Sequence, residues 1–382
     1  MAPKLTKLKY GCNPYQEDAT AEIPDGIDVL HGSPGYINWL DATNAYLLAR
    51  ELGQAFGIPA ATSFKHTSPA GAAIGLPLDE TLERAYMVKG IKSSVALAYA
   101  RARGTDPKSS FGDMAGFNST IDHETAVLLK GSVVDGIIAT DYASEALEIL
   151  KTKKAKKGGI PIIRVRPDYA PPKYEERTTA LGIKLRQPRN DLVIDENVLG
   201  NVVTKNKELP SGARRDLILA AITDKYTQSN TIVYALGGQT TGVGAGQQSR
   251  VDCARLAGEK TATWFLRQHP DVLRFLDEHD KLKPVERLQA QLEFIKIMPS
   301  ADKQAYLDLN MKNVAVSSDA FFPFPDGIEE IHQHGGRYIL QPGGSERDAE
   351  AIACADSHEI VMAFAKVKAP SGKEVMMRLF TH

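Results

Sequence analysis

Ile58-Pro-Ala-Ala-Thr-Ser-Phe-Lys-His-Thr-Ser-Pro-Ala-Gly71 runs from a strand signal into a turn signal. Ile58–Phe64 reads as a buried strand, and Ser68-Pro69-Ala70-Gly71 reads as turn chemistry. Lys65 and His66 stand at the junction, a permanent cation beside a near-neutral base. Neighbouring side chains of a regular strand point to opposite faces, so the pair cannot serve one site from within a strand. At a strand exit that alternation breaks, and ligands of open α/β sheets gather beyond such ends. The lysine is expected to disfavour charging of the imidazole, which keeps a neutral base available at about pH 7. A surface lysine beside a partly buried histidine is the plainer account of the dipeptide taken alone.

Helix and strand signals alternate on both sides of this stretch. Asp41 is placed to cap a helix that carries Leu47, Leu48 and Leu52 and stops at Gly53 or Gly57. Val133–Thr140 is a second buried strand, interrupted by Asp135. A helix from about Ser144 to Lys157 follows, then the strand Pro161–Val165. The basic end of that helix (Lys151, Lys153, Lys154, Lys156, Lys157) lacks interleaved aromatics and reads as a solvated terminus. Pro167–Arg177 is the linker candidate. Beyond Leu192 come a helix at Ala213–Lys225, strands Thr231–Ala235 and Gln239–Gly244 around Gly237-Gly238, and a helix at Gln248–Gln268. Residues 270–310 are helical in character, with an apolar stripe of Leu288, Leu292, Ile295 and Ile297. The last block reads as strand Arg337–Gln341, helix Glu346–Ser357, and strands Ile360–Val367 and Val375–Phe380. The two halves share an α/β texture without a repeat in sequence.

A chain of 382 residues with 43% hydrophobic and 24% charged residues fits a soluble globular protein of two domains or one bilobal body. Lys plus Arg number 46 against 47 Asp plus Glu, so no net charge advertises nucleic acid or a membrane surface. Cys12, Cys253 and Cys354 lie far apart without a CxxC pair, which argues against a disulfide scaffold and the usual zinc spacings. Neither a signal peptide nor an apolar span is legible, so the expected location is cytoplasmic.

Three further motifs bear on chemistry. Gly242-Val-Gly-Ala-Gly-Gln-Gln-Ser-Arg250 follows a hairpin and spaces its glycines as GxGxG, which disfavours a dinucleotide fingerprint. It suits either an anion at a helix start, with Arg250 nearby, or close packing of the glycines. Gln341-Pro-Gly-Gly-Ser345 reads as a strand-to-helix loop with Ser345 as cap, or as an anion nest. Ser317-Ser-Asp-Ala-Phe-Phe-Pro-Phe324 gathers three phenylalanines that pack a core or hold a flat heterocycle, with Asp326 beside them as helix cap or ligand acceptor.

Taken in order, Lys9-Tyr10-Gly-Cys-Asn-Pro-Tyr-Gln16, Ser63–Gly71, Ser109-Ser-Phe-Gly-Asp113, Val202-Val-Thr-Lys205, Lys225-Tyr-Thr-Gln-Ser-Asn230, Gly244–Arg250, Ser318–Phe324 and Arg378-Leu-Phe380 resemble the AICAR transformylase domain of the bifunctional purine-biosynthesis family. The likeness covers essentially the whole chain, and it implies that the family's IMP cyclohydrolase domain is absent here. The implied fold is α/β, two cytidine-deaminase-like three-layer subdomains without the deaminase zinc. The expected division is 1–175 and 176–382, with 270–310 interrupting the second and joining the first. The implied activity is formyl transfer from 10-formyltetrahydrofolate to the 5-amino group of AICAR. No catalytic metal is implied, and there is room for a structural monovalent cation.

Carried over by motif, His66 is the proton acceptor, Lys65 stabilises the developing oxyanion, and Asn230 orients the substrate. Lys9, Tyr10, Gly112, Asp135, Arg250, Phe321 and Arg378 match nucleotide-holding positions, and Val251, Asp326, Ser345 and Glu346 match the folate side. Active sites are expected at a homodimer interface, with Asn230 and Arg250 coming from the neighbouring subunit. Two other readings stay open: formyl transfer to a related heterocyclic amine, and a non-catalytic nucleotide- or folate-binding homologue.

Overall fold

The stretch that opens the reading folds as a hairpin. In a computed structural model, which describes residues 4–153 and 159–382, Ala60–Lys65 pairs antiparallel with Ser68–Ile74. Lys65 faces Ser68 across a two-residue turn in which His66 (φ 56°) and Thr67 (φ 61°) are both left-handed. That is the backbone a tight hairpin demands, here without the usual Asn-Gly pair. Ser68–Gly71 is therefore not the turn but the start of the returning strand. Pro69 and the small residues behind it are buried because the hairpin lies deep in a sheet.

That sheet has eleven strands. In chain order they are β1 (Ile27–His31), β2 (Ala60–Lys65), β3 (Ser68–Ile74), β4 (Asp113–Phe117), β5 (Val134–Ala139), β6 (Ile162–Val165), β7 (Ile232–Leu236), β8 (Gln239–Gly244), β9 (Val314–Ser318), β10 (Gly336–Gln341) and β11 (Val361–Phe364). Their spatial order is β11-β10-β9-β7-β8-β3-β2-β4-β5-β6-β1. The two hairpins, β2–β3 and β7–β8, meet at the centre through antiparallel β3 and β8. Outside each hairpin lie three mutually parallel strands, β4-β5-β6 on one side and β9-β10-β11 on the other.

The helices repeat the same plan. Helices α1 (Tyr36–Phe56), α2 (Ser94–Thr105), α3 (His123–Gly131) and α4 (Ser144–Lys151) belong to the first half. Helices α5 (Ser211–Lys225), α6 (Arg250–Leu266), α10 (Asp326–Gln333) and α11 (Asp348–Ser357) belong to the second, and α7 (Pro270–Glu278), α8 (Pro284–Ile297) and α9 (Ser300–Asn310) are inserted between α6 and β9. Each half runs helix, hairpin, helix, and then strands joined by helices, with α7–α9 as an insertion. The repeat is invisible in sequence because it conserves a pattern of burial and connection rather than residues. Period-2 alternation builds the layers. On β9, Ala315 joins Ala45, Leu48, Leu217 and Leu219 in a core that α1 and α5 share, whereas Val314 and Val316 join Cys253, Ala254 and Ile331 on the opposite face. A separate core beneath α2–α4 holds Tyr99, Phe117, Leu129 and Ile137.

Several local expectations are corrected. Helix α1 begins at Tyr36, so Asp41 lies within it instead of capping it. Helix α4 is described only to Lys151; Lys154, Lys156 and Lys157 of the basic run lie outside the described residues. The linker candidate ends in an exposed hairpin, Tyr174–Thr178 with Lys184–Pro188, because alternating charges satisfy a strand whose faces are both wet. Ile297 is 77% exposed at the end of α8 and does not continue the apolar stripe. At the C-terminus only Glu374–Met376 is strand, paired with Lys366–Lys368.

Candidate functional site

Strand polarity and register carry most of the predicted residues to one end of the sheet. Strand β2 exits there at Lys65, and Met114 of β4 pairs with Phe64, so the turn before β4 lies beside the β2 exit. Asp113 of β4 is level with Val134 of β5, which brings Asp135 to the same end. Ile232 of β7 faces both Gly244 of β8 and Ser318 of β9, which adds Asn230, the 245–250 segment and the phenylalanine cluster. Strands β9, β10 and β11 are parallel, so Gln341 and the loop to Glu346 complete the row.

The first cluster surrounds the hairpin turn. The Lys65 Nζ donates to the Phe111 carbonyl at 2.5 Å, so one of its three protons is spent and two remain. His66 is exposed at the tip. The turn is held from below by Asp41, whose Oδ1 accepts from the Thr67 amide at 2.6 Å. Asp41 thus serves the turn from the buried side of α1, and burial pushes its carboxyl up against the opposing pull of the Thr67 and His66 amides. Gly112 takes φ 74°, and a Cβ there would stand 3.2 Å from Asp135 Oδ1. The Asp135 carboxyl is raised by desolvation, while Lys65 and His66 pull it the other way, so the three groups share one electrostatic environment.

Beneath the cluster, Ser63 Oγ donates to Ser110 Oγ at 2.8 Å, and Arg103 reaches Asp113 at 2.9 Å. Asp113 is fully buried, and desolvation raises its carboxyl to about 6 despite the arginine. A cleft of about 710 Å³ opens beside Lys65 and His66, with Lys108, Ser109, Val243 and Ala245 on its walls.

The second cluster lines a cavity of about 420 Å³ that includes Asn230, Arg250, Val251, Phe321, Phe324 and Asp326. The Asn230 side chain donates to the carbonyls of Gln247 (2.9 Å) and Gln248 (3.1 Å), and its oxygen accepts from Arg250 at 2.8 Å. Arg250 also donates to Ser318 Oγ at 2.9 Å and pairs with buried Asp319. This guanidinium is built into the wall rather than held out on a flexible arm. The Arg378 guanidinium lies 5.6 Å from the Phe321 ring centre, and that of Arg347 lies 5.0 Å from the Phe324 ring, which brings the 345–347 loop to the same cavity.

Three sequence readings change here. The anion-nest reading of the 341–345 loop is overturned because the amides of Gly344 and Ser345 already donate to Asp348, at 2.7 and 3.2 Å. Ser345 does not cap a helix either; its Oγ accepts from the Arg347 amide, and α11 begins at Asp348. Asp326 is the first residue of α10 and binds its neighbour's amide at 2.8 Å. The glycines of β8 resolve as packing: a Cβ on Gly242 would stand 2.0 Å from the Ala257 carbonyl oxygen, and one on Gly244 2.3 Å from that of Cys253. Of the three phenylalanines, Phe322 is core, Phe321 is half-buried and Phe324 is exposed.

Lys9 and Tyr10 lie in the connection between the paired strands Lys4–Lys7 and Thr20–Ile23. The Lys9 Nζ lies 5.2 Å from the Tyr10 ring, and among the described residues no side-chain hydrogen bond ties either to the two clusters. Asp41 holds the Thr67 amide and Asp319 holds Arg250, and neither contact was anticipated from the sequence. An acid on the apolar side of a helix was the one available signal for Asp41; nothing local marks Asp319 as the partner of Arg250.

Comparison with known proteins supplies a family. The profile described as "AICARFT/IMPCHase bienzyme" matches residues 1–260. The chain is 32% identical over 384 residues to "Bifunctional purine biosynthesis protein PurH" of Xylella fastidiosa (strain M12), a match covering 96% of this chain and 58% of that protein. The protein of the same name from Desulfitobacterium hafniense (strain DSM 10664 / DCB-2) is 31% identical over 375 residues, covering 94% and 57%. The chain thus spans a little over half the length of these curated relatives.

Proposed function

The chain belongs to the AICARFT/IMPCHase bienzyme family, and on that premise we propose that it moves a formyl group from 10-formyltetrahydrofolate to the 5-amino group of AICAR. The observation that carries the reading is the turn: Lys65 pinned through Phe111, His66 exposed beside it, and Asp135 sharing their field. The acceptor amine is conjugated with its imidazole ring and carboxamide, so it attacks only if its proton is taken up in the same event. His66 takes that proton. As the nitrogen bonds to the formyl carbon, the formyl oxygen becomes an oxyanion within reach of the two unspent Lys65 protons. Collapse of the tetrahedral intermediate breaks the bond to folate N10, which leaves with a proton as tetrahydrofolate.

Nucleotide and folate positions divide between the clusters. Gly112 and Asp135 lie with the catalytic pair; Arg250, Phe321 and Arg378 lie with the folate-side residues Val251, Asp326, Ser345 and Glu346. Asn230 orients the imidazole carboxamide from the same second cluster, and Lys9 and Tyr10 close on the nucleotide. The two clusters line different cavities of one chain, which supports a homodimer whose sites combine Lys65–His66 of one copy with Asn230 and Arg250 of another. The two halves of the sheet are read as cytidine-deaminase-like subdomains, 1–175 and 176–382, with 270–310 joining the first.

Buried Asp224 and Asp319 each keep one carboxylate oxygen without a hydrogen-bond partner among the described residues. Burial and the charge of Asp319 drive the Asp224 carboxyl well up. That donor set fits a structural monovalent cation, which Asp224 and Asp319 would hold and which would offset their buried negative charge. Among the described residues no helix is long and apolar enough to cross a membrane, and we read the location as cytoplasmic.

Purified protein given AICAR and 10-formyltetrahydrofolate should release tetrahydrofolate, and His66→Ala should abolish the release. A wild type no faster than the variant overturns the assignment. If another heterocyclic amine reacts while AICAR does not compete with it, formyl transfer to a related acceptor replaces this one.

A further inference from the structure

One turn along α10 from Asp326, α10 and α11 bring together Glu329, Cys354 and His358. The Cys354 Sγ donates to Glu329 Oε1 at 3.2 Å, and His358 Nε2 lies 2.8 Å from Glu329 Oε2. All three donor atoms lie within 4.8 Å of one another. We propose that these residues form a binding site for a divalent transition cation of the zinc type, fixed between two helices and separate from formyl transfer.

The spacing is that of a two-helix metal site. Helix α10 carries Glu329 and, one turn on, His332; helix α11 and its C-cap carry Cys354 and, one turn on, His358. Residues three and four apart share a helix face, so each helix presents a pair to the other. The donors are mixed S, N and O, which suits zinc and its borderline neighbours and does not suit calcium or magnesium. Tetrahedral zinc with bonds of about 2.0–2.3 Å holds neighbouring donors roughly 3.3–3.8 Å apart. The present 2.8 and 3.2 Å contacts open by about half an ångström to reach that spacing. The cation replaces the protons now shared between thiol, imidazole and carboxylate.

Charge agrees with this assignment. One carboxylate and one thiolate balance a dication. The His332 ring stacks on His358 with centres 3.9 Å apart and planes at 21°. It meets the site with its face, so it enters as fourth ligand by turning its edge, or leaves that position to water. Arg337, the nearby cation, is engaged with the His358 carbonyl and Glu359. Glu329 stands on one helix and Cys354 and His358 on another helix and its cap, at spacings outside the zinc signatures, which is why the sequence conceals the group.

The test uses the full chain stripped of metal with a chelator, titrated with Zn²⁺ by calorimetry and with Co²⁺ by absorbance. One equivalent of Zn²⁺ per chain is expected, with a thiolate-to-cobalt charge-transfer band in the Co²⁺ adduct. Cys354→Ser should abolish the band, and Glu329→Gln and His358→Ala should each weaken Zn²⁺ by at least the roughly 10–100-fold that losing even an outer-shell partner costs. Cys12→Ser should change neither. Absence of stoichiometric Zn²⁺ binding, a band that survives Cys354→Ser, or a band lost in Cys12→Ser overturns the proposal. If Cys354→Ser does not fold, His358→Ala at the helix end decides the question through affinity alone.

Discussion

The turn that carries Lys65 and His66 is held by Asp41. Its carboxylate reaches the Thr67 amide from the buried side of α1, so the turn is anchored through its backbone. Asp41→Ala should leave that amide without its partner and destabilise the protein by about 1–3 kcal/mol; denaturant unfolding measures it. Asp41→Asn keeps an acceptor and should cost less, with kcat falling less than in the alanine variant. A pH effect belongs to Asp113, fully buried and raised to about 6 by desolvation. Its folded-state value lies above its unfolded one, so its contribution is fully present below about pH 4 and is lost as pH rises through about 6. The stability advantage of wild type over Asp113→Asn should therefore shrink across that window and stay level above it, as read by urea titrations at a series of pH values. The Lys65–His66 dipeptide stood out in sequence because residue type and a strand exit coincide there. Asp41 was misread because capping and turn-holding use the same side-chain chemistry, and only the helix start tells them apart.

At the level of elements, the β2–β3 turn asks a β-branched residue to adopt φ 61°. Left-handed backbone costs an ordinary residue about 1–2 kcal/mol. Thr67→Gly should accordingly raise the melting temperature while keeping the Asp41 bond, since that bond uses the backbone amide. The glycines of β8 give the opposite result. Gly242→Ala and Gly244→Ala press a methyl against the carbonyls of α6 and should each destabilise by about 1–3 kcal/mol, a loss seen in thermal unfolding without ligand present. Glycine-rich sequence before a helix is consistent with anion binding and with close packing alike. The distances to Ala257 and Cys253 decide for packing. The 341–345 loop teaches the same lesson, since its free amides are already taken by Asp348.

Across the whole molecule, the proposed site needs parts from both clusters. Mixing His66→Ala with Asn230→Ala chains tests whether two copies share it. Random pairing puts half the chains in mixed dimers with one intact site of two, so recovery of about a quarter of wild-type activity is expected. No recovery would mean that each chain builds its own site. The sequence by itself determined the α/β class, most strand and helix positions, and the residue types at the hairpin exit, because periodicity, turn residues and burial are local properties. Tertiary structure alone decided that two hairpins meet back to back in one eleven-stranded sheet, and that Asp135, Lys65, Asn230 and Phe321 arrive at the same end of it. The physical reason is that register and strand order are set by long-range backbone pairing and by which faces are buried, and neither is written in any short stretch of chain. The strand exit at Lys65–His66 could be found by reading; the two-residue turn there and the company it keeps could not.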